Sequence, residues 1–153
     1  MAAPGRIAGN ERPPDPAMPL PETLHRHFRL IAALAIALSV FTWAVDLAGL
    51  VYNCPFCRAQ RTVIGLLGLL MLVPDPRHWL VRWLAATFAA FGLVVGITQN
   101  FSHWRRINAG EFRLAEAWWV DPFLLSGAAI FIITGLLLLL WSWRPRGARD
   151  GAG

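Results

Sequence analysis

Four stretches of the chain hold apolar residues almost without interruption, and the segments between them are polar, proline-bearing or arginine-bearing. The first runs from Leu30 to Tyr52 and is broken only by Asp46. Its 23 residues suffice, at about 1.5 Å per residue, to cross a hydrocarbon core of about 30 Å. The second is TVIGLLGLLMLV, from Thr62 to Val73. Those 12 residues reach only about 18 Å, whereas a helix that starts at Cys57 has 17 and reaches about 26 Å. The CPFC stretch before it is therefore expected to open the helix, and Pro74 and Pro76 to stop it. The third stretch is Trp79 to Phe101, with Arg82 near its start and able to snorkel to the headgroups. The fourth is Pro122 to Trp143, uncharged, and closed by Arg144, Arg146 and Arg149. This pattern predicts an all-α protein, a four-helix transmembrane bundle over residues 25–145.

Residues 1–22 hold six prolines, together with Gly5 and Gly9. They predict a disordered tail over 1–24 that is retained and not a cleaved signal. A short tail, 146–153, follows the bundle. Glycines at Gly65 and Gly68, and the GxxxG of Gly92 and Gly96, mark faces where helices pack closely.

Composition agrees with the membrane reading: 56% of residues are hydrophobic and 15% charged. The formal net charge is +5, and every basic residue is an arginine. In a soluble chain that balance points toward nucleic acid, but here the arginines flank the apolar runs and no basic stripe or stacking motif exists. Four spans put both termini on one side. Arg26, Arg29, Arg77, Arg82, Arg144, Arg146 and Arg149 fall there, against Arg58, Arg61, Arg105, Arg106 and Arg113 opposite. The excess places the termini in the cytoplasm and CPFC outside. Seven of the eight tryptophans lie near segment ends, Trp43 being the exception.

The chemistry-bearing stretch is CPFCRAQR, from Cys54 to Arg61, which holds the only two cysteines. A CxxC pair at a helix start can close a small ring and exchange with other thiols. Cys57, in the first turn, meets the positive end of the helix dipole, and Arg61 follows at i+4 on the same face. Both favour a thiolate, and Arg61 can equally hold the oxygen of an electron acceptor. Cys54, on the loop side, is the freer to meet a protein thiol, while Cys57 is within reach of an oxidant dissolved in lipid. A structural bridge or a pair of inert thiols is the plainer alternative. A zinc site needs four ligands, and only His103 lies on the same predicted side, with His25, His27 and His78 opposite, so no metal is expected.

Cys54-Pro55-Phe56-Cys57, then Gln60-Arg61, then an apolar helix carrying Gly65 and Gly68, resembles the disulfide bond formation protein B (DsbB) family over roughly residues 25–145. Phe56 stands where that family has leucine. The resemblance implies a bacterial inner-membrane protein-dithiol:quinone oxidoreductase. Cys54 and Cys57 would be its catalytic pair and ubiquinone or menaquinone its cofactor. A periplasmic thioredoxin-like thiol oxidase (DsbA-like) would be the partner, with membrane lipid around the bundle. It further implies that Cys57 donates to the quinone and Arg61 holds the quinone head. His103, seven residues after Gly96, stands for a histidine that some members carry near the quinone; its alternative is a place in the wet loop. Gln60 matches the pattern without an assigned role. The family's second cysteine pair, between spans three and four, is missing: Ser102 to Asp121 contains no cysteine.

Two further readings stand beside this one. A non-catalytic membrane subunit with one structural bridge would bind a partner protein and need no second pair. A relative of vitamin K epoxide reductase would carry its CxxC late in the chain, whereas here it is early. Arg58 reads as a headgroup contact. Asp46 reads as a proton relay, a packing hydrogen bond or a hydrated residue near the surface. Glu111 to Trp119 places Phe112, Ala115 and Trp119 on one face, which suits a short helix on the membrane surface or an ordinary loop with aromatic anchors.

Overall fold

The computed structural model describes residues 22–51, 54–114 and 120–143. Within them every regular element is helical: α1 (Glu22–Arg26), α2 (Phe28–Leu47), α3 (Pro55–Leu72), α4 (Trp79–Asn108) and α5 (Pro122–Ser142). The four long helices bear out the all-α expectation. By length and composition α2, α4 and α5 are each able to cross a membrane, so this is a multi-pass membrane protein. The fourth, α3, has 18 residues and spans about 27 Å. The expected tail lies outside the described residues except at its end, where α1 begins at Glu22.

Helix ends explain where the apolar runs and the helices diverge. The first run continues to Tyr52, but α2 stops at Leu47 because Gly49 turns to φ +70°. There the Leu50 amide donates to the Val45 carbonyl at 3.2 Å and closes a left-handed cap. Conversely, α4 outlasts its apolar run by seven residues, to Asn108, and ends on the same device at Gly110, φ +71°. Hydropathy marks what lies in lipid; a capping glycine marks where the helix ends. The two agree for α5, which starts at Pro122 behind the Asp121 cap and ends at Ser142. Residues 111–114 carry no helix, and the remainder of the expected surface helix, 115–119, lies outside the described residues.

The central helix is α3, the long helix that is not among the three apolar enough to cross. α3 packs on α2, α4 and α5, and α4 also packs on α5. Its buried face is Gln60, Val63, Ile64, Gly65, Leu67, Gly68 and Met71, a helical stripe that meets Ala32 and Ala35 of α2, Ala85 and Ala89 of α4, and Ile133 and Leu136 of α5. Small residues set the spacing. A Cβ on Gly65 would fall 2.5 Å from Ser39 Oγ, and one on Gly68 would fall 2.9 Å from the Ala32 carbonyl oxygen. On α4, Gly92 sits against Val63 and Ile133, and Gly96 against Ile130 and the Gln60 amide. Both glycine pairs mark helix contacts, as expected.

At the end of the bundle away from the cysteines, Arg82 of α4 donates to the Trp141 carbonyl of α5 at 3.3 Å and lies over the Trp141 ring at 5.5 Å. It closes the C-terminal end of α5 and does not simply extend to the headgroups. Gly68→Ala must displace backbone, so it is expected to lower stability by about 1–3 kcal/mol. Gly135, with nothing within 4 Å of its added Cβ, is expected to tolerate alanine without loss. Thermal unfolding of the two variants in detergent checks both.

Candidate active site

The α3 N-terminus is built by its own sequence. Pro55 occupies the first helical position, where the missing N–H costs nothing and φ is already set. Cys54 is the N-cap, and its Sγ accepts the Cys57 backbone N–H at 3.3 Å. The sulfur that meets the helix N-terminus is therefore that of Cys54. Cys57 lies in the first turn, as expected of a helix opened by the CPFC stretch, while the capping contact itself is made by Cys54. Both residues are free thiols and partly buried.

Across from them stands a residue that the sequence reading did not single out. Gln99 of α4 is buried, and its Nε2 lies 3.9 Å from Cys54 Sγ and 3.8 Å from Cys57 Sγ. Its Oε1 accepts a hydrogen bond from Nε2 of Gln60 at 3.0 Å. Gln60, which had no assigned role, is thus the link between the motif and α4. The available signal was the polar pair Gln99-Asn100 just before the end of a mostly apolar run. His103, one turn beyond Gln99, donates Nδ1–H to the Gln99 carbonyl at 2.9 Å. Its ring lies 6.0 Å from Phe123, which also meets Trp104 and Phe112 edge-on. His103 is partly buried at the end of α4, on the helix and not in a loop.

Arg61 leaves its helix in the other direction. Its Nε donates to the Cys57 carbonyl at 3.2 Å and its Nη1 to the Thr42 carbonyl at 2.6 Å. The same Nη1 is 3.2 Å from Oδ2 of Asp46. Arg58 grips that carboxylate with two donors, Nε at 2.7 Å and Nη2 at 3.1 Å. Arg58 is therefore a partner of Asp46 and not merely a headgroup contact. Asp46, 3% exposed in the last turn of α2, serves as counter-ion to both arginines of the motif. Trp43 covers them, with the two guanidinium carbons 5.7 and 5.8 Å from its ring centroid. Its place is explained by the early end of α2: one turn from that end, Trp43 belongs to the border like the other tryptophans.

A groove of about 370 Å³ runs between α2, α3 and α4, lined by Trp43, Arg58, Thr62, Leu66, Phe88 and Phe91 among others. It lies on the opposite side of α3 from Gln60 and neither cysteine lines it, so its volume does not locate the chemistry. Among the described residues no cluster of histidine, cysteine and acidic side chains could hold a metal ion.

Two sulfurs, a neutral amide donor that faces both, a charged cluster one turn away and an aromatic wall form one assembly where four helix ends meet. That assembly can exchange a disulfide. The family model described as disulfide bond formation protein DsbB matches residues 25–111, more than half of the chain. The match covers α2 to α4 and stops before α5, short of the 25–145 expected. Searches of curated proteins and of solved structures gave no match. The chain, a multi-pass membrane protein of disulfide bond formation with its CxxC pair at the head of α3, belongs to the DsbB family.

Proposed function

We propose that the protein is a membrane thiol oxidase that uses the Cys54–Cys57 pair to oxidise a protein dithiol and passes the electrons to a membrane quinone. The observation that carries the reading is the placement of both sulfurs at the head of α3 with the Gln99 amide against them. Membership of the family supports disulfide chemistry, a quinone acceptor and a thiol-oxidase partner as its general setting.

In the proposed cycle a thiolate of a periplasmic thioredoxin-like oxidase attacks the Cys54–Cys57 disulfide. One partner sulfur joins Cys54, and Cys57 leaves as a thiolate. The second partner thiol then displaces Cys54, so the partner holds the disulfide and this chain holds the dithiol. A quinone, ubiquinone or menaquinone, held beside the pair would supply the terminal oxidant, taking up two electrons and two protons. The donor set fits such a group. Nη2 of Arg61 and Nε2 of His103 make no hydrogen bond among the described residues. Those residues would hold the carbonyl oxygens, with Cys57 as the electron donor.

The single pair sets the route. With no cysteine between α4 and α5, the partner meets Cys54–Cys57 directly. The arginine excess supports cytoplasmic termini and a periplasmic pair in the bacterial inner membrane. The same missing pair also favours a second reading, a non-catalytic subunit in which Cys54 and Cys57 form one structural bridge.

Reduction of a short-chain quinone by the reduced, detergent-purified chain separates the readings. Turnover in the wild type, none in Cys57→Ser and about a hundredfold less in Arg61→Ala are expected for the oxidase; a folded wild type without turnover supports the subunit. Trapping tests the direct route. Mixed with the oxidised partner, Cys57→Ser is expected to accumulate a reducible mixed disulfide, formed as the Cys54 thiolate attacks the partner disulfide and visible on a non-reducing gel because Cys57 is no longer there to displace it, whereas Cys54→Ser is expected to accumulate none there.

A further inference from the structure

We propose that Gln99 is the donor that tunes the reactivity of the Cys54–Cys57 sulfurs, and that Gln60 is the positioning residue that aims it. The inference rests on the thiol-exchange reading above and supplies a part it lacks. The motif's own cation was expected to serve the sulfurs, but Arg61 sends Nε and Nη1 to two carbonyls and the Asp46 carboxylate. The group that faces both sulfurs is neutral and comes from another helix.

Geometry fixes the orientation of the amide. Because Gln60 Nε2 donates to Gln99 Oε1 at 3.0 Å, the Gln99 NH₂ is turned toward sulfur, 3.9 Å from Cys54 and 3.8 Å from Cys57. A carboxamide nitrogen carries two N–H groups, one for each sulfur. Both glutamines are buried, at 4% for Gln60 and 7% for Gln99, so lipid and protein shield the amide from competing water. Gly96 lies beside the link, where an added Cβ would press on Ile130 at 3.0 Å and be in ordinary contact with Gln60 Nε2 at 3.6 Å. An interhelical hydrogen bond in a membrane contributes only about 0.6 kcal/mol on average, too little to explain two buried glutamines by stability. Aim is the better account.

The chemistry follows from what each sulfur state accepts. A disulfide or thiol sulfur is a weak acceptor, whereas a thiolate accepts a charge-assisted bond. Gln99 therefore favours the thiolate over both other states and does so for either sulfur. The negative charge can rest on Cys57 when Cys54 is joined to a partner, or on Cys54 when it leaves, with one donor serving both. A neutral donor also leaves the sulfur more nucleophilic than a tight ion pair would, since nucleophilicity falls as the thiolate is stabilised. Gln99 makes and breaks no bond to sulfur.

The test uses the full chain in detergent, reduced, with neither quinone nor partner present. The rate at which iodoacetamide alkylates each cysteine is followed against pH by peptide mass spectrometry, because the thiolate is the reacting form. Gln99→Met, similar in size but without donors, is expected to slow both cysteines about tenfold near neutral pH and to move both profiles to higher pH. Gln99→Glu is expected to move them further, and Gln60→Met in the same direction but less. Should Gln99→Met fail to fold, Gln60→Met and Gln99→Asn carry the comparison, with thermal unfolding recorded alongside. Profiles that superimpose on the wild type, even with lowered thermal stability, would overturn the proposal. A wild type that reduces no quinone, but whose alkylation still moves with Gln99, would sink the oxidase reading and uphold this one.

Discussion

Lipid offers no hydrogen bonds, so a polar side chain carried into the middle of a membrane bundle must find its partner on a neighbouring helix. That constraint organises this protein around α3. The helix packs on all three other long helices, yet its first two turns carry Arg58, Gln60 and Arg61. Each meets an answer on a neighbour: Asp46 and the Thr42 carbonyl on α2, and Gln99 on α4. Pairing of these groups puts α2 and α4 on either side of the cysteines. Without it, Arg58, Gln60 and Arg61 would be left without those partners inside the bundle.

Close approach makes the pairing possible. Gly65 and Gly68 let α2 lie against α3, where Ser39 Oγ donates to the Arg61 carbonyl at 2.8 Å. Gly92 and Gly96 do the same for α4. Polar partners at the border and glycines in the depth are thus two halves of one arrangement. The glycines bring the backbones near enough for short side chains to meet, and the polar pairs fix rotation about the helix axes. A helix rotated by one residue would carry Gln60 away from Gln99 and Arg58 away from Asp46.

This arrangement separates charge from sulfur. Asp46 draws both arginines toward α2 and beneath Trp43, while the neutral glutamine pair occupies the α4 side with the cysteines. A disulfide-exchanging pair benefits from the division. The sulfurs stay in contact with a donor that follows the charge from one to the other, and the cations remain near without being bound to either. On the proposed oxidase reading, the single cysteine pair of the chain would serve the incoming protein thiol and the outgoing electrons in turn. One shared amide suits two alternating roles.

Much of this architecture could be read from residue order alone, because the features concerned are local. The four apolar runs, the helix-opening Pro55, the packing glycines and the CxxC with its Gln-Arg sequel are all set by neighbours along the chain. Helix ends were less legible: the apolar runs put α2 too long and α4 too short, since Gly49 and Gly110 act through backbone angles that hydropathy does not record. The site was legible only in part. Cys54, Cys57 and Arg61 are visible as a motif, and His103 as a residue near a span end. The direction of Arg61 toward Asp46, the capping role of Cys54 and the place of Gln99 beside both sulfurs are not visible there. Those depend on which helix faces which, and at what rotation. Asp46 is 12 residues from Arg58 and Gln60 is 39 from Gln99. Only packing, which favours a partner for each buried polar group, brings such distant residues into one contact.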